Sequence, residues 1–154
     1  GVPSALLPPT GEGFAVTRRF YTRDGQAVDL ATVARNELLV AVITGEALTD
    51  SQHQALVVDL LPAGFEIENT RLGEGDQMAE LDWLPELSAT DNTEFRDDRF
   101  AAALDLAPRQ RNFALAYLVR AVTPGDYRVP AVFVEDMYQP WYHGRGAVGQ
   151  LRVQ

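Results

Sequence analysis

The sequence predicts a mainly β chain folded as an antiparallel β-sandwich. About eight short apolar stretches read as strands, turn signals part them at intervals of roughly ten residues, and no strand–helix–strand rhythm appears. With 154 residues, 46% of them hydrophobic, the chain can bury one good core, and a second domain would be crowded. The expected organisation is an entering linker over residues 1–12 and a single domain over 13–154. That domain should be an immunoglobulin- or fibronectin-like sandwich with one short inserted helix.

The elements follow in order. Val2–Pro9 carries three prolines and suits an extended linker. Phe14–Thr22 alternates, with Phe14, Val16, Arg18 and Phe20 on the better core face and Arg18 as its one misfit. Arg23-Asp24-Gly25-Gln26 is a turn signal, and Val28–Val33 a short amphipathic link. Leu38–Leu48 is apolar on both faces, so both should be covered. Asp50–Gln54 reads as polar turn, which leaves His53 in solvent. Ala55–Leu61 is a buried strand stopped by Pro62-Ala63-Gly64, and Phe65–Asn69 is a short alternating one.

From Arg71 the pattern changes. Asp76 is a plausible N-cap, Met78, Leu81 and Leu84 fall at helical spacing, and Pro85 limits a helix there to about two turns. Thr93–Leu106 returns to strand, with Phe95 and Phe100 either side of a charged bend, Arg96-Asp97-Asp98-Arg99. Asn112–Thr123 places Phe113, Leu115, Tyr117, Val119 and Ala121 on one face. Pro124-Gly125 suits the centre of a type II turn, which makes Tyr127–Tyr138 the hairpin partner of that strand. Tyr127, just past the turn, is placed to plug the sandwich end and bond its hydroxyl to backbone, as a tyrosine corner does. Gly144–Gly149 reads as a flexible connection before Leu151 and Val153 close the sheet.

Charge and composition exclude several functions. The formal net charge is −9, which disfavours nucleic acid and anionic membrane surfaces as partners. All 13 basic residues are arginine, so no lysine chemistry is available. No cysteine is present, which removes disulfides, thiol catalysis and thiolate metal sites. No apolar run approaches the ~20 residues of a membrane span, so direct membrane insertion is not expected. Two histidines cannot build a metal site of several imidazoles. Glu94, Asp97 and Asp98 sit among Arg96 and Arg99 and read as a solvated, self-neutralised turn. No nucleophile motif or phosphate loop occurs. The sequence thus calls for neither an enzyme nor a cofactor.

One stretch resists this plain reading. After the apolar run Ala131–Val134 come Glu135-Asp136-Met137-Tyr138-Gln139-Pro140-Trp141-Tyr142. Large aromatics crowded at a strand end are costly in water unless they cover something. Met137, Tyr138, Trp141 and Tyr142 either pack the end of the core or form a working surface, and the residues alone leave both open.

Four blocks resemble the C-terminal domain of the bacterial α2-macroglobulins, periplasmic inhibitors that trap proteases of many kinds. They are Val16–Tyr21 with Asp24-Gly25, Leu56–Asn69 (LVVDLLPAGFEIEN), Glu94–Phe100 (EFRDDRF), and Tyr117–Gly125 continuing through Tyr127, Val129-Pro130 and Met137-Tyr138. The resemblance implies a macroglobulin-like sandwich that packs on the thioester domain of the same parent chain. In such proteins a buried thioester waits until a protease cuts a bait region, then captures the attacker. Met137 and Tyr138 match the family's pair that keeps the thioester from water, with Trp141 and Tyr142 as possible interface. The implied location is the periplasm, with the parent held to the inner membrane by a lipid. The competing expectation is a stand-alone immunoglobulin-like module that binds carbohydrate or a surface protein through the same aromatics.

Overall fold

The structure is a computed structural model that describes residues 10–68 and 81–154. Its strands are β1 (Thr10–Glu12), β2 (Phe14–Tyr21), β3 (Leu38–Ala47), β4 (His53–Leu60), β5 (Phe65–Ile67) and β6 (Asn92–Arg96). They continue with β7 (Arg99–Leu106), β8 (Asn112–Ala121), β9 (Gly125–Val129), β10 (Val132–Asp136), β11 (His143–Arg145) and β12 (Gly149–Val153). One sheet has the order β1-β11-β10-β4-β7-β6, the other β2-β3-β8-β5, and β9 and β12 form a separate ribbon. All of these pairings are antiparallel. The expected mainly β, antiparallel sandwich is what forms.

Alternation builds the core. The inward residues of β4 are His53, Ala55, Val57 and Asp59, and across the sandwich lie Phe113, Leu115, Tyr117, Val119 and Ala121 of β8. Because β3 is apolar on both sides, it needs a second cover. Val40 and Val42 of β3 and Leu118 of β8 point outward, where Leu81, Trp83 and Leu84 pack on them. The Trp83 indole N–H donates to the Arg23 carbonyl at 2.7 Å, which fastens this strap to the β2–β3 loop.

That strap carries the first correction. Asp76 and Met78, which should begin the inserted helix, lie outside the described residues, and from Leu81 onward the chain is not helical. Leu84 N–H donates to the Leu81 carbonyl in a single turn, Pro85 blocks continuation, and the chain then runs extended. Ser88 exchanges two hydrogen bonds with Ala114: its N–H donates to the Ala114 carbonyl, and its Oγ accepts from the Ala114 N–H. The apolar spacing of Leu81 and Leu84 serves a sheet face, not a helix core.

Two more expectations fail on the far side of β8. Tyr127–Tyr138 is not its hairpin partner: Gly125–Val129 pairs with β12, and Val132–Asp136 pairs with β4 and β11. Gly125 has φ of +148°, not the value near +80° of a type II turn. The chain instead steps off the β8 ladder at Val122 and Thr123, whose N–H groups both donate to the Gly64 carbonyl. Pro130, which has no N–H, then separates β9 from β10. Tyr127 does plug this end: its hydroxyl donates to the Thr123 and Pro124 carbonyls at 2.9 and 3.1 Å, and its ring lies on Gly64. Within Gly144–Gly149, Gly144 and Arg145 belong to β11, wedged between β1 and β10. The residues expected to end the linker, Thr10–Glu12, form β1.

The misfit Arg18 is explained by β4. Its guanidinium forms a buried ion pair with Asp59, and a second N–H donates to the Pro130 carbonyl at 2.9 Å. Tyr117 of β8 donates its hydroxyl to the other Asp59 oxygen and stacks on Phe100 at 4.6 Å. Burial pushes the Asp59 carboxyl above its ordinary range, against the Arg18 charge and the Tyr117 and Arg18 hydrogen bonds. Burial, then the Asp59 charge, holds the Tyr117 phenol well up, so it stays a donor. Substituting Asp59→Ala leaves a buried guanidinium without its charge partner. The expected cost is about 3–5 kcal/mol in urea denaturation, whereas joint replacement of Arg18 and Asp59 by Met and Leu should cost far less.

Candidate functional site

The site is the turn between β10 and β11, at the end of the sandwich where β3 finishes and β4 and β8 begin. Asp136 organises it. The strand puts Asp136 on the inner face, and its Oδ1 accepts the N–H groups of Tyr138 and Gln139 at 2.9 and 3.0 Å. Oδ2 faces His53 Nδ1 at 2.7 Å, and His53 Nε2 lies 2.6 Å from Thr49 Oγ1. Backbone ties complete the turn: Met137 N–H donates to the Gln54 carbonyl at 2.8 Å, Asp136 N–H to Tyr142 at 3.0 Å, and Tyr142 N–H to Gln139 at 2.9 Å.

His53 is therefore not the solvated turn residue that its neighbours suggest. It is 1% exposed and begins β4 on the inward side. Its ring sits 4.8 Å from the Phe14 ring and 5.2 Å from that of Tyr142. A polar segment fooled the reading because the partner that lets a histidine be buried lies 83 residues away. Asp136, noticed only within the Glu135–Tyr142 stretch, is the residue that sequence reasoning does not single out; its alternation with Val132 and Val134 is the available signal.

Burial works to raise the Asp136 carboxyl, but the His53 hydrogen bond, then the Tyr138 and Gln139 amides and the His53 charge, outweigh it. The carboxyl is held below its ordinary range. An ionised carboxylate only accepts, so His53 Nδ1 carries the shared proton.

The four expected site residues divide. Tyr138 is 77% exposed, Trp141 61% and Met137 40%, whereas Tyr142 turns inward. Tyr142 packs on the core, on His53 and against Gly13, where a Cβ would meet its ring at 2.7 Å. Tyr142 thus packs the end of the core, while Met137, Tyr138 and Trp141 are exposed. Leu48, 56% exposed just after β3, belongs to the same end of the sandwich. Four large apolar side chains stand exposed at this one end, where leaving them in water is costly.

Elsewhere the chemistry is sparse. Arg96 pairs with Glu94 at 3.1 Å and Arg99 with Asp98 at 3.3 Å, all solvated, as the sequence suggested. Among the described residues no group of three or more acidic or imidazole side chains could hold a metal ion. No helix among them is long and apolar enough to cross a membrane. A groove of about 900 Å³ lies between Pro85–Ala89 and β2, β3 and β8, lined by different residues from those of the turn.

Comparison with known proteins shows which family the chain resembles. The family model described as the bacterial alpha-2-macroglobulin MG10 domain matches residues 13–140. An alpha-2-macroglobulin of Xylella fastidiosa (strain Temecula1) is 39% identical over 162 residues, covering 99% of this chain and 10% of that protein. Native Escherichia coli alpha-2-macroglobulin, in a crystal structure from domain MG7 to the C-terminus, superposes with a TM-score of 0.84 at 34% identity, over 100% of this chain and 25% of that one. Salmonella alpha-2-macroglobulin reacted with methylamine gives 0.82 at 38% identity, over 100% of this chain and 10% of that one. The chain spans about a tenth of the length of the curated relatives it matches.

Acid should loosen this turn. The Asp136 carboxyl sits lower in the folded chain than in the unfolded one, so its contribution is full above the ordinary carboxylate range. It is lost as pH falls through the depressed folded value. Urea midpoints measured from pH 7 down to pH 3 should fall more steeply for the native sequence than for Asp136→Asn.

Proposed function

The chain belongs to the bacterial alpha-2-macroglobulin MG10 domain family, and on that premise we propose that it guards a thioester carried by another domain of its parent protein. The parent would be a protease-trapping inhibitor, held in the periplasm, whose thioester captures an attacker after bait cleavage. The observation that carries the reading is the position of Met137 and Tyr138. They stand out of the sandwich end on a turn whose backbone is tied to β4 and to Asp136.

The residue types suit the task. A thioester is lost when water or a stray amine reaches its carbonyl, so whatever covers it must keep it dry. A thioether fills an irregular apolar pocket, and a tyrosine ring excludes water while its hydroxyl remains free to bond near the sulfur. The hold must also release on activation, which favours a docked rigid domain over a covalent lock. Trp141 and Leu48 extend the apolar end around the pair and would fit the rim of such a contact. The chain has no cysteine, so the thioester's own residues belong to another part of the parent.

The test is Tyr138→Gly in the full-length protein. Because Tyr138 is 77% exposed, the substitution should cost the domain less than about 0.5 kcal/mol of stability. Methylamine uptake before any protease is added should rise. Unchanged uptake with an intact thioester would remove the shielding role.

A further inference from the structure

The Tyr138 ring makes no hydrogen bond and no aromatic contact among the described residues, and most of it is exposed. Neither a hydrogen bond nor an aromatic contact of its own side chain among the described residues fixes where it points. Its position comes from its backbone, and that backbone is held by one carboxylate oxygen, Asp136 Oδ1, which accepts both the Tyr138 and the Gln139 N–H. Asp136 is in turn fixed by His53, and His53 by Thr49 Oγ1 and the flanking rings of Phe14 and Tyr142. An exposed lock residue is thus joined to the buried core by a chain of hydrogen bonds through one charged group.

We propose that Asp136 and His53 are positioning residues for the shield, clamping the turn so that Tyr138 is offered in one place to the surface it covers. This rests on the shielding role proposed above. Cover by an exposed ring works only if the ring is already in place when the domain docks; a wandering turn would pay its ordering entropy at the interface and leave the contact leaky. Charge-assisted bonds from two successive N–H groups to a carboxylate are the strong kind, suited to holding a short turn still.

Few other charges bear on Asp136. From β4 it faces His53, and the Tyr142 ring, just before β11, packs on that imidazole. Glu135, paired with His143 across β10 and β11, and Asp105 of β7 alternate to the opposite face of the sheet. Arg18 of β2 is engaged by Asp59.

The test uses the full-length protein and reads methylamine uptake without protease for the native sequence, Asp136→Ala, Asp136→Asn, Tyr138→Gly and the Asp136→Ala, Tyr138→Gly double variant. Asp136→Ala should raise uptake about tenfold by freeing the turn. Asp136→Asn keeps an oxygen for the two N–H groups and should restore most of the protection. In the Tyr138→Gly background Asp136→Ala should add nothing, since it acts through Tyr138. An equal increase in both backgrounds, or no increase with Asp136→Ala while Tyr138→Gly raises uptake, overturns the clamp and leaves the shield standing. No increase with Tyr138→Gly overturns the shield itself. Should Asp136→Ala fail to fold, hydrogen exchange of the native protein decides. Slow exchange at Tyr138 and Gln139 supports the clamp, and exchange at the rate of a free peptide overturns it.

Discussion

The two sheets meet around a buried charge. Asp59 of β4 receives Arg18 from β2 and the Tyr117 hydroxyl from β8, so a carboxylate of one sheet is held by two strands of the other. A charge in a dry core is costly unless all its lone pairs find partners. That demand fixes the relative placement of the sheets more narrowly than apolar packing can, because Leu and Val tolerate sliding and a three-way hydrogen bond does not. The Arg18 link to the Pro130 carbonyl adds the β9–β10 connection to the same joint.

With the sheets so placed, the far end of the sandwich repeats the device at smaller scale. His53 of β4 and Asp136 of β10 are a second buried polar pair, one strand apart in the same sheet. Here the pair supports an exposed turn in place of a joint between sheets. Each buried carboxylate on the inner face of this sheet thus has a mechanical reason to be there, and the charges of the Glu94–Arg99 bend, solvated and self-paired, have none.

Much of this was legible in the chain and some was not, for identifiable reasons. Apolar runs such as Leu38–Ile43 and Phe113–Val119 read as strands on a deep core, and they are. Arg18 announced itself as a misfit on an apolar face, although its partner, 41 residues on, did not. The alternation of Val132 and Val134 hid Asp136 in plain view, because a carboxylate at the end of an apolar series reads as the first solvated residue. His53 was lost among polar neighbours for the matching reason. The hairpin expected after β8 does not form, because Pro130 parts Tyr127–Tyr138 into two strands that pair with β12 and β4 instead. Met137 and Tyr138 stood out as large side chains at a strand end, but their exposure is a fact that periodicity could not supply.

The short strand β1 has a mechanical consequence. Thr10, Gly11 and Glu12 pair with Arg145, Gly144 and His143, so the chain entering the domain is zipped onto the strand that leaves the Tyr138 turn. Tension on the segment before Thr10 would load that ladder in shear, and three residue pairs form a short ladder. Force reaching the domain along its entering chain is therefore delivered first to the neighbourhood of the Tyr138 turn, and only afterwards to the deep core around Asp59.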